Sequence, residues 1–124
     1  MIEILVGLGI ITTALVVSLV VVTHSSRLSR ASRNKLEATR YAETVLETLR
    51  STRDQDKASF FTNGTCPVCG PFGTGVVYSC ALSCSFSPAP PNATRDDVTV
   101  TISWDDGGST ASILVPTTLT LYDL

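Results

Sequence analysis

Residues 3–26 read EILVGLGIITTALVVSLVVVTHSS. Residues 4–22 form a run of nineteen without a charge or a proline. At about 1.5 Å of rise per residue, such a run matches a hydrocarbon core of about 30 Å. Glu3 is the only charged side chain among the first twenty-six residues, and it stands at the head of the run. An acid at mid-bilayer costs about 2.5–3.5 kcal/mol on insertion scales, and less near an end. A plain anchor has no use for that carboxylate. A segment that leaves the membrane and packs into another structure does. A cleaved signal peptide fits poorly, because no basic region precedes the run and no small-residue cleavage site ends it.

The pattern changes at His24 without a break. Residues 25–53 hold neither Gly nor Pro. Leu28, Ala31, Leu36, Ala38, Tyr41, Ala42, Val45, Leu46 and Leu49 recur mostly three and four apart, which predicts a helix with one apolar stripe. Arg33–Glu37, Glu37–Arg40 and Arg50–Asp54 are spaced to support it. One helix is therefore expected over about residues 1–53, roughly 80 Å long. Gly7, Gly9, Thr12, Thr13 and Ser18 permit close helix contacts, and the hydroxyls can bond back to the helix backbone.

Punctuation begins at Asn63-Gly64. Residues 62–75 read as loop and 75–82 as a strand. The connector SPAPPN, residues 87–92, cannot be a central strand. Val98, Val100, Ile102 and Trp104 alternate with Thr99, Thr101 and Ser103, the clearest strand pattern in the chain. The run DDGGS, residues 105–109, predicts a hairpin. A return strand over 110–115, an interruption at Pro116 and a last strand over 118–122 follow. The fold class is α+β: a long N-terminal helix whose second half packs on a small C-terminal antiparallel sheet. Three segments result: an apolar half-helix over 1–24, an amphipathic half-helix over 25–54, and a β domain over 55–124 with a cysteine-rich loop.

A domain of that size needs staples. Cys66, Cys69, Cys80 and Cys84 supply them. Two disulfides suit an exported domain. A four-cysteine zinc site fits the count loosely, and a thioredoxin-like C-x-x-C lacks its βαβ setting. Four cysteines allow three pairings; the nested one, Cys66–Cys84 with Cys69–Cys80, suits an antiparallel arrangement, and the other two stay open.

The net charge of −2 hides an asymmetry. Residues 24–57 carry eight of the nine Lys/Arg against five acids, and residues 58–124 carry Arg95 against five aspartates. The basic residues alternate with acids and lack an aromatic platform, so nucleic-acid binding is not expected. His24 stands alone and reads as an interfacial residue. No phosphate loop, paired carboxylates or Ser/His/Asp set is present, so neither an enzyme nor a cofactor or metal site is expected. Asn63-Gly64-Thr65 and Asn92-Ala93-Thr94 fit a glycosylation pattern.

Taken together, the glutamate-headed apolar run, the amphipathic continuation and the alternating VTVTISW strand with its Gly-rich turn resemble the type IV pilin superfamily, which includes the pseudopilins. Residues Ile2-Glu3-Ile4-Leu5-Val6-Gly7-Leu8 are similar to that family's processing-site region. The family's glutamate stands two positions further from the processed start, and Phe rather than Met is usual there. This chain also has no proline before Pro67, so it lacks the family's frequent kink. The resemblance implies a structural subunit of a pilus filament, with adhesion and twitching motility belonging to the assembled fibre. It implies partners: further copies of the chain in a helical polymer, the inner membrane before assembly, a prepilin peptidase, and the assembly machinery. It implies a single-pass membrane protein that becomes part of an extracellular filament. Glu3 would pair with a neighbour's terminal amine, here at Met1, which the family methylates. A minor pilin or pseudopilin of a secretion or DNA-uptake system, and a membrane-anchored binding domain, are the alternatives.

Overall fold

In a computed structural model, described for residues 2–122, helix α1 runs Ile2–Gln55. A short helix α2 follows at Lys57–Asn63, then strands β1 Tyr78–Ser87, β2 Arg95–Asp105 and β3 Thr110–Thr120. The strands form one antiparallel sheet in the order β1-β2-β3. The class is α+β. The chain divides between Asn34 and Lys35 into two compact units, and α1 belongs to both.

In the second unit the central strand sets the core. Asp96, Val98, Val100, Ile102 and Trp104 are buried in strict alternation along β2. Tyr78 lies opposite Trp104, and Val115 opposite Val100. The helix presents Ala38, Ala42, Leu46 and Leu49 as its buried residues. Two clusters result. The first joins Ala38, Ala42 and Leu46 to Tyr78, Val100, Ile102 and Trp104. The second joins Leu49 to Phe61, Ala93, Val98 and Leu119. Small residues at 38 and 42 let the helix backbone approach the sheet, while Tyr78 and Trp104 supply most of the bulk. Fully burying one such apolar side chain contributes about 1.5–3 kcal/mol.

The stripe is shorter than the sequence predicts. Leu28 is 71 % exposed and Leu36 55 %, so coverage begins at Ala38. The surface ion pairs differ too. Arg50 meets Glu47 and Arg53 meets Asp54, while Glu37 accepts a hydrogen bond from the Tyr78 hydroxyl at 3.1 Å. The exposed Arg50–Glu47 pair contributes little, about 0–1 kcal/mol.

Three elements differ from those the sequence pattern predicts. Helix α2 was not expected. Asp56 caps it, its carboxylate accepting from the Ser59 N–H at 3.0 Å, and Gly64 ends it in the left-handed region at φ 59°. Strand β1 starts at Tyr78 rather than at Gly75 and continues to Ser87. Strand β3 runs through Pro116 as one element, where two were expected. Pro116 is tolerated because β3 is an edge strand, with half its N–H groups facing away from the sheet. The hairpin over 106–109 forms as read: Asp106 N–H donates to Ser109 O, and Asp105 accepts from the Gly108 N–H.

Candidate assembly site

Helix α1 is regular through Gly7 and Gly9, and an added Cβ at either position would meet nothing. The apolar side chains that follow are open: Ile4 is 69 % exposed, Leu19 67 % and Val22 65 %. The segment is long and apolar enough to cross a membrane, and none of its apolar window is buried within the molecule. Its hydroxyls do not interrupt that character. Thr12, Thr13, Ser18 and Thr23 all donate back to helix carbonyls three or four residues earlier, at 2.8–3.1 Å. With every hydroxyl satisfied internally, the surface offered outward is aliphatic.

Glu3 lies in the first helical turn, where a negative charge complements the helix dipole. Its side chain is exposed and makes no ion pair among the described residues. Met1, the other assembly residue expected from the sequence, lies outside the described residues. His24 is exposed at the end of the apolar stretch, with no hydrogen-bond partner among the described residues.

The cysteines are all oxidised: Cys66 is joined to Cys84 and Cys69 to Cys80, each with Cα atoms 5.7 Å apart. No thiolate remains for zinc, and no metal-ligating cluster occurs among the described residues. Cys80 and Cys84 are four apart on β1, on the same face as Tyr78 and Leu82. The bridges thus tie the irregular segment 65–77 to the edge strand. Phe72 completes the attachment. It exchanges two backbone hydrogen bonds with Tyr78, at 2.9 and 3.1 Å, and its ring lies between those of Tyr41 and Tyr78, with centroids 3.5 and 4.6 Å away. The Tyr41 hydroxyl donates to Gly70 O at 3.2 Å. Backbone pairing on this edge of β1 is confined to its first residue, Tyr78, and the two disulfides hold the segment against the strand beyond it.

Two neighbouring aspartates on β2 have opposite surroundings. Asp97 accepts from Arg95 at 2.8 and 2.9 Å and from Thr118 at 2.7 Å, and these bonds hold its carboxyl below the usual range. Asp96 is fully buried, and neither carboxylate oxygen has a partner at hydrogen-bond geometry. Burial raises its pKa; the Ser85 backbone N–H, too poorly placed for a full hydrogen bond, offsets part of the rise, and the charge of Asp97 adds to it. Burial also raises the Tyr78 phenol, with the Glu37 carboxylate adding to the effect. Neither Asp96 nor Tyr78 was singled out from the sequence as a special site. Asp96 lies two residues before Val98, in phase with the inward positions of the VTVTISW alternation, and that phase is the available signal.

A cleft of about 410 Å³ opens between the end of α1 and α2, lined by Thr52, Asp56, Phe60 and Pro67 among others. Its one carboxylate, Asp56, is engaged in capping α2. The arrangement offers no acid–base pair and no activated nucleophile. No known protein family, curated protein or solved structure matches the chain.

Proposed function

We propose that this chain is a structural subunit of an extracellular filament of the type IV pilus kind, which polymerises through its apolar N-terminal segment. The observation that carries the reading is an aliphatic helix surface with no cover of its own, headed by the single unpaired charge of Glu3. In a bilayer, lipid covers that surface. Outside one, packing against further segments of the same kind would cover it. The two disulfides suit a head that works outside the reducing cytosol. The complement of α+β head and long helix is compatible with a pilin-like fold.

Glu3 then has a role in register. Burying a lone carboxylate in a dry filament core is unfavourable, so it needs a positive partner from a neighbouring copy. A free terminal amine is the partner the resemblance implies. Desolvation offsets most of such an attraction, so the pair selects one stagger of helices more than it adds stability.

The test is shear release of surface fibres from cells carrying wild-type or Glu3→Val protein, with the fibre composition read by mass spectrometry. We expect wild-type fibres built mainly of this chain. We expect the variant to insert into membranes normally and to yield no ordered fibres. Wild-type fibre yield from Glu3→Val defeats the role of Glu3. A chain that stays in the membrane and never enters fibres defeats the filament reading in favour of an anchored domain. A chain present only as a trace component of fibres marks a minor subunit.

A further inference from the structure

We propose that Arg27, Arg30 and Arg33 form a binding site for anionic phospholipid headgroups, which holds the subunit at the membrane surface before assembly. The proposal rests on the membrane residence of the apolar segment and not on the filament itself. All three arginines are exposed, and none has an ion pair or hydrogen-bonded partner among the described residues. No acid occurs from Ile4 to Leu36, and the nearest on the helix, Glu37, accepts from the Tyr78 hydroxyl at 3.1 Å and makes no ion pair with Arg33.

Their placement along α1 is the geometric argument. The uncharged apolar run ends at Val22. Arg27 lies five residues beyond it, about 7.5 Å along the axis, and Arg33 eleven residues beyond, about 16 Å. The headgroup layer adds about 5–7 Å on each side of the hydrocarbon. Side chains on a helix lean toward its N-terminus. Here that is the direction of the bilayer, so each guanidinium reaches back by about one turn. Arg27 and Arg30 enter the headgroup layer, and Arg33 stays within a Debye length of about 8–10 Å. Successive steps of three residues turn by about 60°, so the three fan over roughly 120° of one helix side. Guanidinium groups suit phosphate oxygens, because their fork of donors can engage two of them at once.

A second copy's acidic head is the rival occupant, and the described residues offer it less. Of the aspartates there, Asp96 is buried and Asp97 is already engaged by Arg95. Asp105 and Asp106 remain, on a single hairpin, and Asp105 already accepts from the Gly108 N–H.

The test uses the full chain reconstituted into vesicles of phosphatidylcholine with a minor fraction of phosphatidylglycerol. Spin-labelled lipids of each type report which one the protein prefers at its boundary. Alkaline-carbonate extraction of the same vesicles reports insertion. We expect an anionic preference of severalfold, on the order of fivefold for one arginine–headgroup contact. Salt should weaken it, and R27Q/R30Q/R33Q should reduce it to near one while leaving insertion unchanged. An inserted wild-type chain with no preference overturns the proposal alone, as does a preference that survives in the triple variant. Self-association in pure phosphatidylcholine that needs the arginines, and that D105N/D106N abolishes, overturns it in favour of a neighbouring copy. A wild-type chain that carbonate removes overturns the membrane reading, and the proposal with it.

Discussion

Asp96 and Asp97 are adjacent residues whose pKa values move in opposite directions, because one faces inward and the other outward on the same strand. The raised pKa of Asp96 means that the folded state binds its proton more tightly than the unfolded chain does. Its contribution to stability is therefore most favourable below the ordinary aspartate range, and is lost as pH rises through the folded value. Asp97 has the reverse sign: its contribution is present above the ordinary range and is lost as pH falls toward its lowered value. At neutral pH, Asp96 is a buried group without adequate partners. Asp96→Asn keeps its shape and removes the charge. We expect the variant to be more stable than wild type at pH 7, by on the order of 1–3 kcal/mol. The gap should close below the ordinary aspartate range, where the wild-type side chain is neutral. Urea melts across that pH range, followed by the fluorescence of Trp104, the only tryptophan, check this. A gap that does not change with pH would show that ionisation of Asp96 is not its cause.

Among the elements, α2 has the most easily tested terminus. Gly64 sits at φ 59°, and a Cβ there would collide with the ring of Pro90. A non-glycine residue in the left-handed region costs roughly 1–2 kcal/mol before any clash is counted. Gly64→Ala should therefore lower stability by at least that amount, seen as a fall in melting temperature. A wild-type melting temperature would mean that the SPAPPN connector moves aside freely. This element also shows where sequence reading stops. The Asn63-Gly64 pair reads as punctuation, but the Asp56 cap goes unnoticed, because seven residues give too little periodicity to reveal a helix. Strand β1 was placed too early because Tyr78, Cys80, Leu82, Cys84 and Phe86 alternate with serines and an alanine, and these are poor strand formers. Its alternation was present, but its composition hid it. Strand β2 and the hairpin were legible because β-branched residues and a Gly-Gly turn give the same answer locally and globally. The long helix was legible for a different reason: its apolar run and its uninterrupted continuation contain nothing that stops a helix. The extent of helix burial was not legible, since an apolar stripe does not say where its partner begins. Among the site residues, the unpaired state of Asp96 depends on tertiary surroundings that no local pattern carries.

At the scale of the whole molecule, the two compact units depend on different forces. The first has no apolar core of its own and is stabilised by whatever covers its aliphatic surface. The second has a small core supplemented by two cross-links. Cys66–Cys84 closes a separation of 18 residues, and Cys69–Cys80 closes one of 11 inside it. A loop of about 15 residues contributes roughly 3 kcal/mol through the lost freedom of the unfolded chain. Nested loops share that restriction, so the pair contributes less than the sum of its members, about 3–5 kcal/mol in all. Against a typical domain stability of about 5–15 kcal/mol, this is a large share. Reduction should therefore lower the Trp104 unfolding midpoint steeply, and Cys69→Ser/Cys80→Ser should produce only part of the loss. Membrane insertion should be unchanged in both cases, because the apolar segment contains no cysteine. Fibre yield should fall with the head's stability. Intact fibres from reduced, unfolded heads would mean that the helical segment assembles without them. Loss of insertion on reduction would mean that the units are not independent.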